Sequence, residues 1–378
     1  MSSATPELVL GVTGTPFEKT KADGRIVCGH LHQTINAKVP AMKVSEKRKL
    51  PHRDVEVTIM GLGCAQMGNL YRLTPYEESK GAFDKAWDSG MRYFDTAPFY
   101  GYTRSERRLG TMVTEHDRSE YTLSTKVGRV MVPDETVGPE EDTYVAPLPF
   151  RPLYDYSYDA IMRSFEASQQ RLGVLKPDIL YIHDIGPYTH GDKHQHYWDQ
   201  LTTGGGFKAL GKLRDEGSTK AVGLGVNEWE VVRDAMEVFD IDAAMLAGRY
   251  TLLEQQSLSF MNACAEKGVG IVVAGAFNSG ILAGNRKFNY KDAPPELLAR
   301  VDALHDVCEE MGVSLQAAAL QFPLAHPASV TVVSGARNAE QLTSNIAWFE
   351  QDIPDAFWAE LHRRGLIAEG SPVPGAKG

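Results

Sequence analysis

Short apolar runs and longer amphipathic stretches take turns along this chain from residue 55 onward. Val55, Val57 and Ile59 alternate with polar neighbours and lead into Gly61-Leu62-Gly63, a strand pattern. Ala82, Phe83, Ala86 and Trp87 then fall on one helix face, and Gly90 is placed to close that helix. Met91 to Phe94 is the next apolar run, Glu106 to Leu109 the next helix, and Tyr121 to Ser124 the next strand. Tyr158, Ile161, Met162, Phe165 and Leu172 form another stripe, and Ile179 to Ile182 reads as a strand buried on both faces. The rhythm continues with a helix at Lys208 to Asp215, a strand at Ala221 to Leu224 and a helix at Val231 to Val238. Ala243 to Leu246 is strand, Leu258 to Ala265 helix, and Val269 to Ala274 strand. Leu297, Val301, Leu304, Cys308 and Met311 share one helix face, Val330 to Val333 is the last strand, and Gln341 to Phe349 the last long helix.

About eight strand–helix units of even spacing predict a parallel sheet that closes into a (β/α)8 TIM barrel, an α/β fold in a single domain. An open doubly wound sheet is the competing arrangement. We expect the barrel over residues 55–366, an N-terminal extension over 1–54 with room for a hairpin, and a C-terminal tail over 367–378. The proline-rich stretch 131–154 reads as a loop across one barrel face.

The 378 residues include 39 Lys and Arg against 49 Asp and Glu, a net charge of −10. That sign argues against a nucleic-acid or anionic-membrane surface as the main function. No apolar run is long enough to span a membrane, and the start of the chain lacks a signal-peptide pattern. Cys28, Cys64, Cys264 and Cys308 have no paired spacing and read as reduced thiols, so we expect a cytoplasmic protein. Its oligomeric state is not legible.

In such a barrel, chemistry sits where strands end. Asp95 follows Tyr93-Phe94, Lys126 ends the run from Tyr121, His183 ends the run from Ile179, and Asn227 follows Leu224-Gly225-Val226. Tyr100 lies in the loop just after Asp95. Each residue alone has an ordinary reading as a cap, a solvated lysine or a structural histidine; their joint placement at one mouth gives them meaning. A free phenol has a pKa of about 10, and a nearby ammonium favours its phenolate. A carboxylate holds the ammonium and an imidazole orients the substrate oxygen. The set suits proton transfer at an alcohol or carbonyl oxygen, with a nicotinamide or flavin moving hydride at carbon.

Gly61-Leu62-Gly63-Cys64-Ala65-Gln66-Met67-Gly68 fails the GxGxxG pattern, which removes the main support for a Rossmann domain. His190, His194 and His196 lie in a polar segment without a metal-ligand pattern, so we expect no metal. Ser334 to Asn338 joins the last strand to the last long helix, where backbone amides and Arg337 suit a phosphate; an ordinary turn and cap is the plain alternative. Phe99, Tyr102, Phe150, Tyr154 and Tyr156 are candidate aromatics for a substrate pocket.

The chain resembles the aldo-keto reductase superfamily in YFDTAPFYG (93–101), SERRLG (105–110), LSTKVGR (123–129), LYIHD (180–184) and SGIL (279–282). The resemblance implies a (β/α)8 barrel, a nicotinamide dinucleotide bound in extended form, and a catalytic tetrad of Asp95, Tyr100, Lys126 and His183. The segments 148–173, GLGVNEWEV (223–231), AGRYTLLEQ (247–255) and FNSGILAG (277–284) look like the subgroup of D-threo-aldose 1-dehydrogenases, pyridoxal 4-dehydrogenases and L-galactose dehydrogenases. That subgroup implies oxidation of a hemiacetal C1 hydroxyl of an aldose to a lactone. Pyridoxal, an NADPH-dependent aldehyde or ketone reduction, and a non-catalytic cofactor-binding subunit are the alternatives. The resemblance places Asn227 on the nicotinamide carboxamide and Ser334, Gly335, Arg337, Gln341 and Asn345 at the adenosine phosphate. Ala274 stands where many members have an aromatic residue beneath the nicotinamide. Gly335 and Gln341, where NADP-preferring members often carry Lys and Arg, point to NAD as cofactor, with NADP still open.

Overall fold

The computed structural model describes residues 42–288 and 291–375. The expectations for residues 1–41 and for 376–378 lie outside these.

Eight parallel strands close into a barrel. In chain order they are β1 (Met60–Gly63), β2 (Tyr93–Asp95), β3 (Thr122–Val127), β4 (Ile179–His183), β5 (Ala221–Val226), β6 (Ala243–Ala247), β7 (Gly270–Ala274) and β8 (Ser329–Gly335). The last strand pairs with the first, Val333 opposite Gly61. Closure removes the open sheet from consideration.

Two apolar layers hold the barrel. Inside it, Tyr93, Ile179, Tyr181, Ala243, Met245, Val272 and Val330 pack together. An antiparallel hairpin of Lys47–Lys49 with Glu56–Thr58 contributes Leu50, Val55 and Val57 to the same cluster. Residues on both sides of position 54 therefore belong to one hairpin. The outer layer lies between strands and helices. Helix α1 (Tyr76–Asp88) buries Ala82, Phe83 and Ala86 and is followed by Gly90 at φ +83°. The helix α3 (Tyr158–Leu172), which follows α2 (Arg104–Val113), buries Ile161, Phe165 and Leu172 and ends at Gly173 in the left-handed region. Removing a side chain such as Phe83 or Phe165 from water contributes about 1.5–3 kcal/mol.

Two segments differ from the sequence reading. The stretch 131–154 is not a plain loop: Arg129–Pro133 leaves β3 and pairs antiparallel with Phe150–Tyr154, Arg129 opposite Tyr154. Two of its five prolines, Pro133 and Pro152, sit within this two-stranded ribbon, where a missing ladder donor is tolerated. The segment with His190, His194 and His196 is largely helical, with helices Pro187–His190 and His194–Leu201. His190 Nε2 lies 2.9 Å from Tyr156 Oη. Cys64, Cys264 and Cys308 are buried and unpaired, and Cys28 lies outside the described residues. No helix among the described residues is long and apolar enough to cross a membrane.

His326 sets an acid limit on the fold. Its Nδ1 accepts from Ala328 N at 3.2 Å, so Nε2–H faces Asn262 Oδ1 at 3.0 Å and the ring is neutral. Burial holds it down from 6.5 to about 4. His183 is pushed the same way by burial, Arg129 and Lys126. Between the unfolded and folded values only the unfolded chain takes up these protons, so stability falls with pH below about 6.5. The urea midpoint is expected to drop between neutrality and about pH 5; a flat midpoint would contradict the neutral buried rings.

Candidate active site

Strands β2, β3 and β4 are neighbours, and their C-terminal ends bring three of the expected residues to one mouth. Asp95 ends β2, Lys126 is the penultimate residue of β3, and His183 ends β4. Lys126 Nζ donates to Asp95 Oδ2 at 2.7 Å and to Thr96 O at 3.0 Å. Both side chains are nearly sealed from water, 2% and 3% exposed. Burial drives the Asp95 carboxyl upward against the opposing pull of Lys126 and Ser124, and the net direction is up.

Tyr100 reaches this pair from the loop after β2. Lys126 Nζ stands 4.7 Å from the centre of its ring. His183 meets the same ring edge-on, with centroids 5.8 Å apart and planes at 86°. The loop is fixed by a crossing of two glycines. A Cβ on Gly68 would lie 2.6 Å from both Gly101 N and Tyr100 C, and Gly101 itself has φ +64°. Backbone cannot yield as a side-chain tip can. Gly68→Ala is therefore expected to displace Tyr100, lowering turnover by about tenfold to a hundredfold and stability by about 1–3 kcal/mol. Steady-state rates and thermal melts check both.

A second group of residues lies beside the first. Asp184, a non-glycine residue at φ +49°, accepts from Asn227 Nδ2 at 3.1 Å and pairs with the Arg129 guanidinium. Its carboxylate is 3.6 Å from His183 Nε2. Arg249 Nε donates to Asn227 O at 2.6 Å. Arg129 packs its guanidinium 4.0 Å from the centre of Phe99, and its Nε and Nη1 are buried with no hydrogen-bond partner among the described residues. Of the candidate pocket aromatics, Tyr102 and Tyr156 are fully buried. Tyr102 donates to Asp142 and Tyr156 to the His183 carbonyl, so both are packing residues. Phe99, Phe150 and Tyr154 keep partial exposure.

The residues expected at the adenosine phosphate gather at the junction of β8 with helix α9 (Ala339–Phe349), α4 to α8 being Gly206–Asp215, Glu230–Val238, Leu258–Lys267, Pro295–Met311 and Leu315–Gln321. Asn345 Nδ2 donates to Ser334 Oγ at 2.9 Å and to Gly335 O at 3.2 Å. Asn338 caps α9 through Gln341 N, and Gln341 Oε1 accepts Arg337 N. The Arg337 guanidinium turns inward, to Thr74 Oγ1 and Leu70 O, each at 2.8 Å. Leu70 bridges to Tyr144, and Tyr71 N donates to Thr143 O at 2.7 Å, which docks the 141–145 segment on the loop that Arg337 holds. Tyr144 in turn packs edge-on against Phe99.

The site fits a nicotinamide dinucleotide. Gln66 Oε1 is buried without a partner among the described residues beside Gly335, where any Cβ would strike the Gln66 amide. At the ends of β6 and β7, Ala247 pairs with Ala274, and Gly248 and Gly275 follow, both at positive φ. That floor of small residues leaves room for a flat ring. Arg129, Asp184, Ser124 and Gln66 were not among the sequence candidates. The one available signal was position: Arg129 and Asp184 lie within three residues of Lys126 and His183.

The chain belongs to the aldo/keto reductase family, whose pattern matches residues 59–364. It is a nicotinamide-dependent oxidoreductase of that family. It is 48% identical over 341 residues to the pyridoxal 4-dehydrogenase of Microbacterium luteolum, covering 86% of this chain and 99% of that one. It is 37% identical over 321 residues to the D-threo-aldose 1-dehydrogenase of a Pseudomonas species, covering 82% and 95%. Among solved structures, an aldo-keto reductase from Bacillus halodurans in its holo form shares the fold, with a TM-score of 0.66 at 21% identity over 86% of this chain and 99% of that one.

Proposed function

We propose that this protein oxidises the ring hydroxyl of a cyclic hemiacetal to a lactone, with NAD as the acceptor. The observation that carries this reading is the contact of Lys126, held by Asp95, with the Tyr100 ring at the strand mouth. The bound nicotinamide would supply a hydride acceptor at carbon. Tyr100 as phenolate takes the proton from the hemiacetal oxygen. Lys126 stabilises that phenolate, and Asp95 keeps Lys126 in place. His183, neutral in its buried setting, holds the substrate oxygen. Asn227 orients the carboxamide, and Ser334, Gly335, Gln341 and Asn345 line the phosphate end.

Pyridoxal is the favoured substrate. The 48% relative is named for it, and its 4-aldehyde closes to an internal hemiacetal. An aldose of the L-fucose, D-arabinose or L-galactose type is the second reading, favoured by the 37% relative. NAD over NADP is supported by the inward turn of Arg337, which leaves its guanidinium engaged with Thr74 and Leu70.

The test is growth of reduced-nicotinamide absorbance with NAD or NADP and a panel of pyridoxal, L-fucose, D-arabinose and L-galactose. Turnover with pyridoxal is expected, with kcat/KM about tenfold or more higher for NAD than for NADP. Turnover with a sugar alone moves the assignment to the second reading. Cofactor binding without turnover on any of the four overturns it.

A further inference from the structure

Asp95, Lys126 and His183 each have a hydroxyl residue two positions earlier on the same strand: Tyr93 before Asp95, Ser124 before Lys126, Tyr181 before His183. Residues two apart on a strand share a face. The three hydroxyl residues therefore form the interior layer directly beneath the site, and all three are fully buried. Neighbouring glycines make room for them. A Cβ on Gly61 would lie 2.6 Å from Tyr93 Cδ1, and one on Gly225 would lie 3.3 Å from Lys126 Cε and 3.4 Å from Tyr181 Cβ.

The hydroxyls are linked. Ser124 Oγ donates to Asp95 Oδ1 at 2.7 Å, Tyr93 Oη is 3.0 Å from Ser124 Oγ, and Tyr181 Oη is 3.5 Å from Tyr93 Oη. Proton counting sets the direction, because each hydroxyl has a single proton to give. Ser124 gives its proton to the carboxylate, so it accepts from Tyr93. Tyr93 then has only acceptor capacity left for Tyr181, across a distance long for such a bond.

We propose that the Tyr93–Ser124 chain is a positioning device: it sets how tightly Asp95 holds Lys126, and through that how well Lys126 stabilises the Tyr100 phenolate. This rests on the reading of Tyr100 as the proton acceptor. A carboxylate that accepts a charge-assisted bond from Ser124 concentrates less charge on the oxygen facing Lys126. More of the ammonium's field is then available to the Tyr100 ring. Without the Ser124 hydroxyl, Asp95 draws Lys126 more strongly and the phenolate loses support. The other titratable or charged groups around this cluster are Cys64 on the β1 side, Tyr93, Tyr181 and His183, with the Arg129–Asp184 pair beyond His183.

The experiment is the pH dependence of kcat/KM in the oxidative direction on the full chain. The rise of rate with pH reports formation of the phenolate. Ser124→Ala is expected to move that rise upward by about 0.5–1 pH units, and Tyr93→Phe by less, since it acts through Ser124. Ser124→Thr keeps the hydroxyl and restores the wild-type profile, which a purely structural role would not require. Ultraviolet titration of tyrosinate, taken as the difference between each variant and the same variant carrying Tyr100→Phe, reads the same shift without turnover. The proposal is overturned if the Ser124→Ala and wild-type curves coincide, or if Ser124→Thr shifts as far as Ser124→Ala. If Ser124→Ala does not fold, Tyr93→Phe decides by the same criterion. Near-full turnover by Tyr100→Phe is a separate outcome and removes the Tyr100 reading itself.

Discussion

Tyr100→Phe is expected to lose about 10²–10⁴ of turnover while folding and binding cofactor normally. Phe keeps the ring that packs beside Lys126 and His183 and removes the one atom able to exchange a proton with the substrate. The loop geometry supports a clean result, because the close backbone approach of Gly68 to Tyr100 and Gly101, which Phe leaves untouched, helps to place the residue. Single-turnover absorbance of reduced nicotinamide, with cofactor affinity measured separately, would separate chemistry from binding. A variant with near wild-type turnover and an unchanged melt would move the proton-transfer role to His183.

Lys126→Met has a double effect. Turnover falls at least as far as in Tyr100→Phe, and the fold is weakened. The Lys126–Asp95 pair lies in the barrel with both side chains almost wholly buried. Removing Lys126 leaves Ser124 as the side-chain partner of the Asp95 carboxylate among the described residues, a loss of roughly 3–5 kcal/mol. Adding Asp95→Leu is expected to recover much of that stability and none of the activity, since the unpaired buried charge is then gone as well. Denaturant midpoints of the single and double variants give the measurement. A double variant as unstable as Lys126→Met would show that the loss comes from packing and not from charge.

The barrel was legible because its signal is repetitive. Buried strands such as Ile179–His183 read as continuous apolar runs, and helices such as α3 end at glycines that take the left-handed conformation. Three of the expected site positions, Asp95, Lys126 and His183, stood out for the same reason, a polar residue that ends an apolar run, while Tyr100 was read from its place in the loop after Asp95. The ribbon of Arg129–Pro133 and Phe150–Tyr154 was not, because its prolines and polar residues give no clear alternation and its pairing partner is remote in sequence. Arg129 was hidden with it. The role of Arg337 also escaped the sequence. Its position after β8 suggested a phosphate, whereas its guanidinium bonds to Leu70 and Thr74, in a loop more than 260 residues earlier. Long-range side-chain choices of this kind depend on which partner the closed barrel brings near.

The inward turn of Arg337 also bears on how this chain changes by mutation. One guanidinium holds the carbonyl of Leu70, Leu70 bridges to Tyr144, and Tyr144 leans on Phe99 next to Tyr100. On the proposed reading, nucleotide preference and substrate preference are therefore coupled through Arg337 and do not drift independently. On that reading, a replacement at position 337 that adapts the phosphate end also loosens the wall of the substrate mouth, so lineages that switch nucleotide should carry compensating changes at 70–74 or 141–145.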